Sequence, residues 1–192
     1  MAKTIASSVF EFFQHSGHRL EITLSTLYYR GILTPRAVAQ QALEQRGLRD
    51  SGWISVWRII DNMSRRILDK MLHCRQNLAE AKSASKSGEA VDVDVCKREW
   101  DCAVQASNQF FTAIFTGLVQ NYTAFRETDA LLAQTMLQRI LVIGRRYFDF
   151  IYPLIGSADF ESKIPEIKGQ SDVAKTFQTL HSLAGEQKPF AA

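Results

Sequence analysis

Apolar residues recur along this chain at three- and four-residue steps from one end to the other. No segment keeps up the alternation of a strand, so the pattern predicts helices throughout. A first helix over about 4–14 places Ile5, Val9, Phe12 and Phe13 on one side, and His15, Ser16 and Gly17 break it. A second, over about 18–29, uses Leu20, Leu24, Leu27 and Tyr28 and stops at Arg30 and Gly31, as a C-terminal glycine signal should. Thr34 is then an N-cap, with Pro35 at the first helical position, where its missing N–H costs nothing. The third helix, 35–45, stops near Gly47, and Asp50 or Ser51 caps the one that follows.

Two very long helices come next, about 53–82 and 95–126, separated by a polar break at 83–89 rich in Ser, Lys and Gly. The first carries Trp53, Val56, Trp57, Ile60, Met63, Ile67, Met71 and Leu78 at helical steps. A helix of ~30 residues is a rod of ~45 Å, longer than the ~30–35 Å width expected of a compact domain of this size. Between His73 and Ala103 large apolar residues thin out, and then Phe110, Phe111, Ile114, Phe115, Leu118, Val119, Tyr122 and Phe125 form a dense stripe. The hairpin over 53–126 is therefore expected to have a packed root and a polar, projecting tip near 83–94. Thr128 and Asp129 cap a further helix over 130–152, with Leu132, Met136, Ile140, Ile143, Tyr147 and Ile151 inward and Pro153 and Gly156 ending it. The tail over 157–192 is weaker, with Phe160, Ile164 and Ile167 around Pro165 and a last amphipathic stretch through Val173, Phe177 and Leu180. The expected fold is all-α, one helical-repeat domain over 1–192. It is a stack of antiparallel helical hairpins, an α-solenoid of the HEAT kind, with one long projecting hairpin.

Composition adds little: 46% hydrophobic and 22% charged residues are ordinary for a globular protein, and a net charge of +3 does not by itself argue for nucleic acid. The three cysteines, Cys74, Cys96 and Cys102, have no CxxC spacing and fit free thiols in a reducing compartment. The apolar stretch 137–155 contains Arg139, Arg145, Arg146 and Asp149, so it is not expected to span a bilayer. His15 and His18 lack a third ligand, and His73 and Cys74, being adjacent, point to different sides of a helix, so neither a metal site nor a Cys–His nucleophile is expected. No phosphate-binding loop, nucleophile elbow or zinc-protease motif is present, and the chain is expected to have no catalytic residues and no cofactor. Arg65, Arg66, Lys70 and Arg75 on the first long helix are the candidate partner-binding residues, read as a basic stripe. Trp57 and Trp100 fall on core spacing and are read as packing residues rather than base-stacking platforms.

One set of motifs carries a resemblance. Val56-Trp57-Arg58-Ile59 opens the first long helix, Arg65-Arg66 follows, and Leu78-Ala79-Glu80-Ala81-Lys82 closes it. Phe111-Thr112-Ala113-Ile114-Phe115 and Arg126-Glu127-Thr128-Asp129 continue the match, with Val9-Phe10-Glu11 and Ala37-Val38-Ala39 upstream. In this order and spacing they resemble the C-terminal helical domain of the large subunit of the nuclear cap-binding complex. That domain is built like the middle domain of translation initiation factor four-G. The resemblance covers 8–155; the tip between Lys82 and Val95 is shorter than the family's, and the last 35 residues match poorly. The chain reads as an excised domain of a larger protein, or as one from a divergent lineage.

The resemblance implies a non-catalytic scaffold that holds a small cap-binding subunit with an RNA-recognition motif and recruits RNA-processing and export factors. Capped RNA would be bound only indirectly, no membrane would be involved, and the location would be nuclear, with or without shuttling to the cytoplasm. The competing expectation is a helical RNA-binding module that uses the basic residues of the first long helix on phosphates.

Overall fold

The computed structural model describes residues 1–44, 53–87, 92–155, 157–164 and 171–186. Among them every regular element is a helix. In chain order these are α1 (Ala2–Phe12), α2 (Gly17–Tyr29), α3 (Pro35–Glu44), α4 (Trp53–Lys86), α5 (Val93–Phe125), α6 (Ala130–Arg146), α7 (Phe148–Ile155), α8 (Ala158–Lys163) and α9 (Ser171–Glu186). The chain divides into two compact units, Met1–Phe110 and Phe111–Ala192, and the division falls within α5.

In the first unit α1 pairs with α2 and α3 with α4, and the hairpins stack like beside like, α1 against α3 and α2 against α4. This is the expected repeat arrangement, in which each hairpin buries a face that it cannot cover alone. The turns are built as the sequence requires. Gly31 has φ +68, and the amides of Gly31 and Ile32 donate to the carbonyls of Tyr28 and Leu27 at 2.9 Å each, a Schellman closure of α2. Thr34 Oγ1 accepts from the Ala37 amide at 3.3 Å and caps α3. The expected cap of α4, Asp50 or Ser51, lies outside the described residues. In α1 the expected inward side is displaced by one position. Ala6 and Phe10 are the buried pair, Ile5 and Val9 are half-buried, and Phe12 is 81% exposed.

The long helices are longer than their apolar pattern suggests. α4 continues to Lys86, through the serines read as a break, because Ala and Lys keep helical propensity there. Val56, Ile60, Met63, Ile67 and Met71 are buried as expected, whereas Trp57 and Trp100 are only half-buried. Beyond Leu72, Cys74 and Ala81 are the buried residues of α4 among those described, and before Ala103 no described residue of α5 is buried. The distal halves of α4 and α5 are thus covered along narrow seams of small residues. Asp92 caps α5, its Oδ1 accepting from the Val95 amide at 3.1 Å.

The second unit is built on the rest of α5. Phe115, Phe160 and Phe177 pack edge to face, with ring centroids 5.7–5.9 Å apart. Asp129 Oδ1 caps α6 at 2.9 Å from the Leu132 amide, as the sequence indicates. The helix expected over 130–152 is instead two. α6 ends at Arg146, Tyr147 leaves helical geometry (φ −117, ψ 26), and Pro153 lies inside α7 rather than ending it. The break lets consecutive aromatic residues, Tyr147 and Phe148, both be buried. Gly144 permits the close approach of α9 to α6: a Cβ there would lie 2.5 Å from Leu180 Cδ2. α9 turns Val173, Phe177 and Leu180 inward, and Tyr122 Oη donates to Asp172 Oδ2 at 3.0 Å. Ile167 and Pro165 lie outside the described residues.

Candidate partner-binding surface

The residues singled out for partner binding all lie on α4, but they do not form one stripe. At about 100° per residue, Arg66 and Lys70 share a side, Arg65 stands about a quarter-turn from Arg66, and Arg75 lies well away from Lys70. Their surroundings differ accordingly. Arg65 is exposed and forms an ion pair with Asp61 one turn earlier, 2.7 Å between Nη2 and Oδ2. Arg66 is half-buried, its guanidinium 4.5 Å from the centre of the Tyr29 ring, a cation–π contact from α4 to α2. Its Nη1 is buried and has no hydrogen-bond partner among the described residues. Lys70 and Arg75 are exposed.

The same seam between α2 and α4 contains a charge cluster that the sequence pattern does not reveal. Glu21 of α2 receives a hydrogen bond from Asn62 and pairs with Arg58 at 3.4 Å. Arg58, Asn62 and Arg66 follow one another at four-residue steps, so a single edge of α4 meets α2 through polar contacts. Tyr28, beside this edge, has its phenol pushed up by burial, with Arg66 opposing the shift and Tyr29 adding to it. The only sequence signal for this arrangement is the four-residue spacing of polar residues on α4, which an exposed face would share.

Further along α4, Cys74 is buried, and burial raises its thiol above the ordinary value. Lys70 opposes that shift, while Glu99 and Cys96 on α5 add to it. His73 is exposed and its ring nitrogen is 3.3 Å from Asn77 Nδ2. The thiols of Cys74, Cys96 and Cys102 are free. Among the described residues no group of His, Cys, Asp and Glu could hold a metal ion, and no helix is long and apolar enough to cross a membrane. Unit one therefore presents helical surface with a few fixed cations.

Comparison with known proteins agrees with this architecture. No curated protein and no solved structure is found to match the chain. A family model described as "MIF4G like" matches residues 2–140, from the start of α1 into α6. The match takes in all the motifs that carry the sequence resemblance. Domains of this type are helical scaffolds, in general non-catalytic, that mediate protein and RNA interactions. The chain belongs to the MIF4G-like family.

Proposed function

We propose that this chain is a non-catalytic scaffold domain of the large subunit of a nuclear cap-binding complex. In this reading it holds the small cap-binding subunit, which carries an RNA-recognition motif, and offers surface to RNA-processing and export factors on capped transcripts. Capped RNA is reached through the small subunit, and the place of action is the nucleus. The observation that carries the reading is the run of motifs from Val56 to Lys82, which falls on one continuous helix within the family-matched segment. A packed stack of hairpins suits the role, because a surface already ordered gives up little entropy when a partner binds.

The RNA-module reading has less behind it. Arg58 and Arg65 are engaged by carboxylates and Arg66 by Tyr29, which leaves α4 without a row of cations to track a phosphate backbone. Co-purification tests the proposal. The chain, co-expressed with a small cap-binding subunit, is expected to elute with it as one complex that survives moderate salt. Separate elution, together with salt-sensitive binding of uncapped RNA by the chain alone, would favour the RNA module.

A further inference from the structure

α4 and α5 run antiparallel in the first unit, and an open groove lies between them. Its lining includes Cys74, Val95 and Cys102 as the less polar part and Lys70, Arg98 and Glu99 as the charged part. Among the described residues neither Lys70 nor Arg98 has a hydrogen-bond or ion-pair partner. That sets them apart from Arg58 and Arg65 nearer the root of α4, which are paired. The groove thus carries two unpaired cations and one carboxylate. Beside them Val95 is 38% exposed, an apolar side chain left partly in water.

We propose that this groove docks an acidic segment of a partner protein. Its carboxylates meet Lys70 and Arg98, and an apolar side chain between them rests on Val95, Cys74 and Cys102. Charge complementarity chooses the occupant. Unpaired cations at the edge of an interface steer an acidic partner and fix its register, and the apolar lining rewards a side chain that a phosphate backbone does not have. Nucleic acid fits less well. Single-stranded RNA binds through successive stacking on aromatic rings, the His73 imidazole is the one ring among the groove's described lining residues, and Glu99 would face the phosphates. The inference rests on the reading of the chain as an interaction scaffold, but not on which complex it serves.

The test uses the full chain and a short labelled peptide of Asp and Glu interspersed with Leu, followed by fluorescence anisotropy. Saturable binding is expected, weakened about tenfold or more by Lys70→Glu with Arg98→Glu. It should weaken equally when the peptide's carboxylates are replaced by amides. Independently of any variant, saturating peptide should slow alkylation of Cys102, the exposed thiol of the groove, severalfold, as read by mass spectrometry. Absence of saturable binding, unchanged affinity in the charge-reversed chain, or unprotected Cys102 would overturn the proposal. So would an oligouridylate RNA that binds more tightly and is lost in the same variant. If the peptide fails while a small cap-binding subunit still associates, only the groove assignment falls; failure of both overturns the scaffold reading itself.

Discussion

Arg65 and Arg66 are neighbours in sequence but make different contacts, and the difference should be measurable. An exposed i,i+4 pair such as Arg65–Asp61 contributes about 0.3–0.5 kcal/mol, so Arg65→Glu should shift the denaturation midpoint only slightly. Arg66→Glu removes a cation from the Tyr29 ring and puts a carboxylate at a half-buried site. We expect a loss of about 1–2 kcal/mol, and equal losses in the two variants would contradict the α2–α4 contact. Gly144 offers a second test: a methyl at 2.5 Å from Leu180 Cδ2 crowds the α6–α9 contact, and overpacking of about 1–3 kcal/mol set against about 1 kcal/mol of helix propensity gained by alanine leaves Gly144→Ala a cost of no more than about 2 kcal/mol in urea unfolding. A third concerns alkaline pH. Burial and then the hydrogen bond to Asp172 raise the Tyr122 phenol above its ordinary value of 10.0. The folded state therefore favours the protonated phenol. This stabilisation is complete below pH 10.0 and is lost as pH rises through the folded value. Tyr122→Phe should lower stability by about 1 kcal/mol at neutral pH and flatten the alkaline fall in midpoint; an unchanged fall would show that other groups cause it. At this scale the sequence makes local devices legible. Thr34, Asp129 and Gly31 act on backbone groups within four residues of themselves, so their roles can be read from spacing alone. Arg66 over Tyr29 and Gly144 against Leu180 join distant segments, and nothing in the local pattern announces either pairing.

The helices themselves are legible wherever one stripe decides what is buried. Val56, Ile60, Met63, Ile67 and Met71 of α4 and the stripe of α5 from Phe110 to Tyr122 are inside, as their steps require, while Phe125 at its end is half-buried. The pattern misleads where burial changes sides. The α6–α7 break hides under continuous apolar periodicity, because Tyr147 and Phe148 both turn inward only once the helix has broken at Tyr147. Trp57, on core spacing, is half-buried, because spacing gives a direction and not the depth of cover. Ala6 and Phe10, rather than Phe12, face inward in α1 because a small residue lets neighbouring helices approach. Small residues also mark the distal parts of α4 and α5, where Ala81 and Ala103 are buried among exposed, charged neighbours. Replacing either with Leu should overpack that seam and cost about 1–3 kcal/mol. Gln76→Leu, on an exposed position of the same helix, should stay within about 0.5 kcal/mol. Equal tolerance of Leu at all three positions would argue against close packing of the two helices beyond the root.

For the whole molecule, the repeat arrangement and the family follow from the order of motifs rather than from any single one. Val56-Trp57-Arg58-Ile59 is unremarkable alone; followed at fixed spacing by Arg65-Arg66 and Leu78 to Lys82, and then by the motifs of α5, it marks a MIF4G-like chain. Partner surfaces are harder to read from sequence, since a cation that serves a partner and one that pairs within the fold are the same residue type. The structure separates them by what each touches: Arg58 and Arg65 face carboxylates of the chain itself, while Lys70 and Arg98 line an open groove. The proposed scaffold reaches capped RNA only through a small subunit. The most direct measurement is the affinity for a methylated guanosine cap analogue, of the chain alone and after mixing with a small cap-binding subunit. No saturable cap binding by the chain alone is expected, and a stable ternary association once the small subunit is present. Saturable cap binding by the chain alone would contradict the scaffold reading.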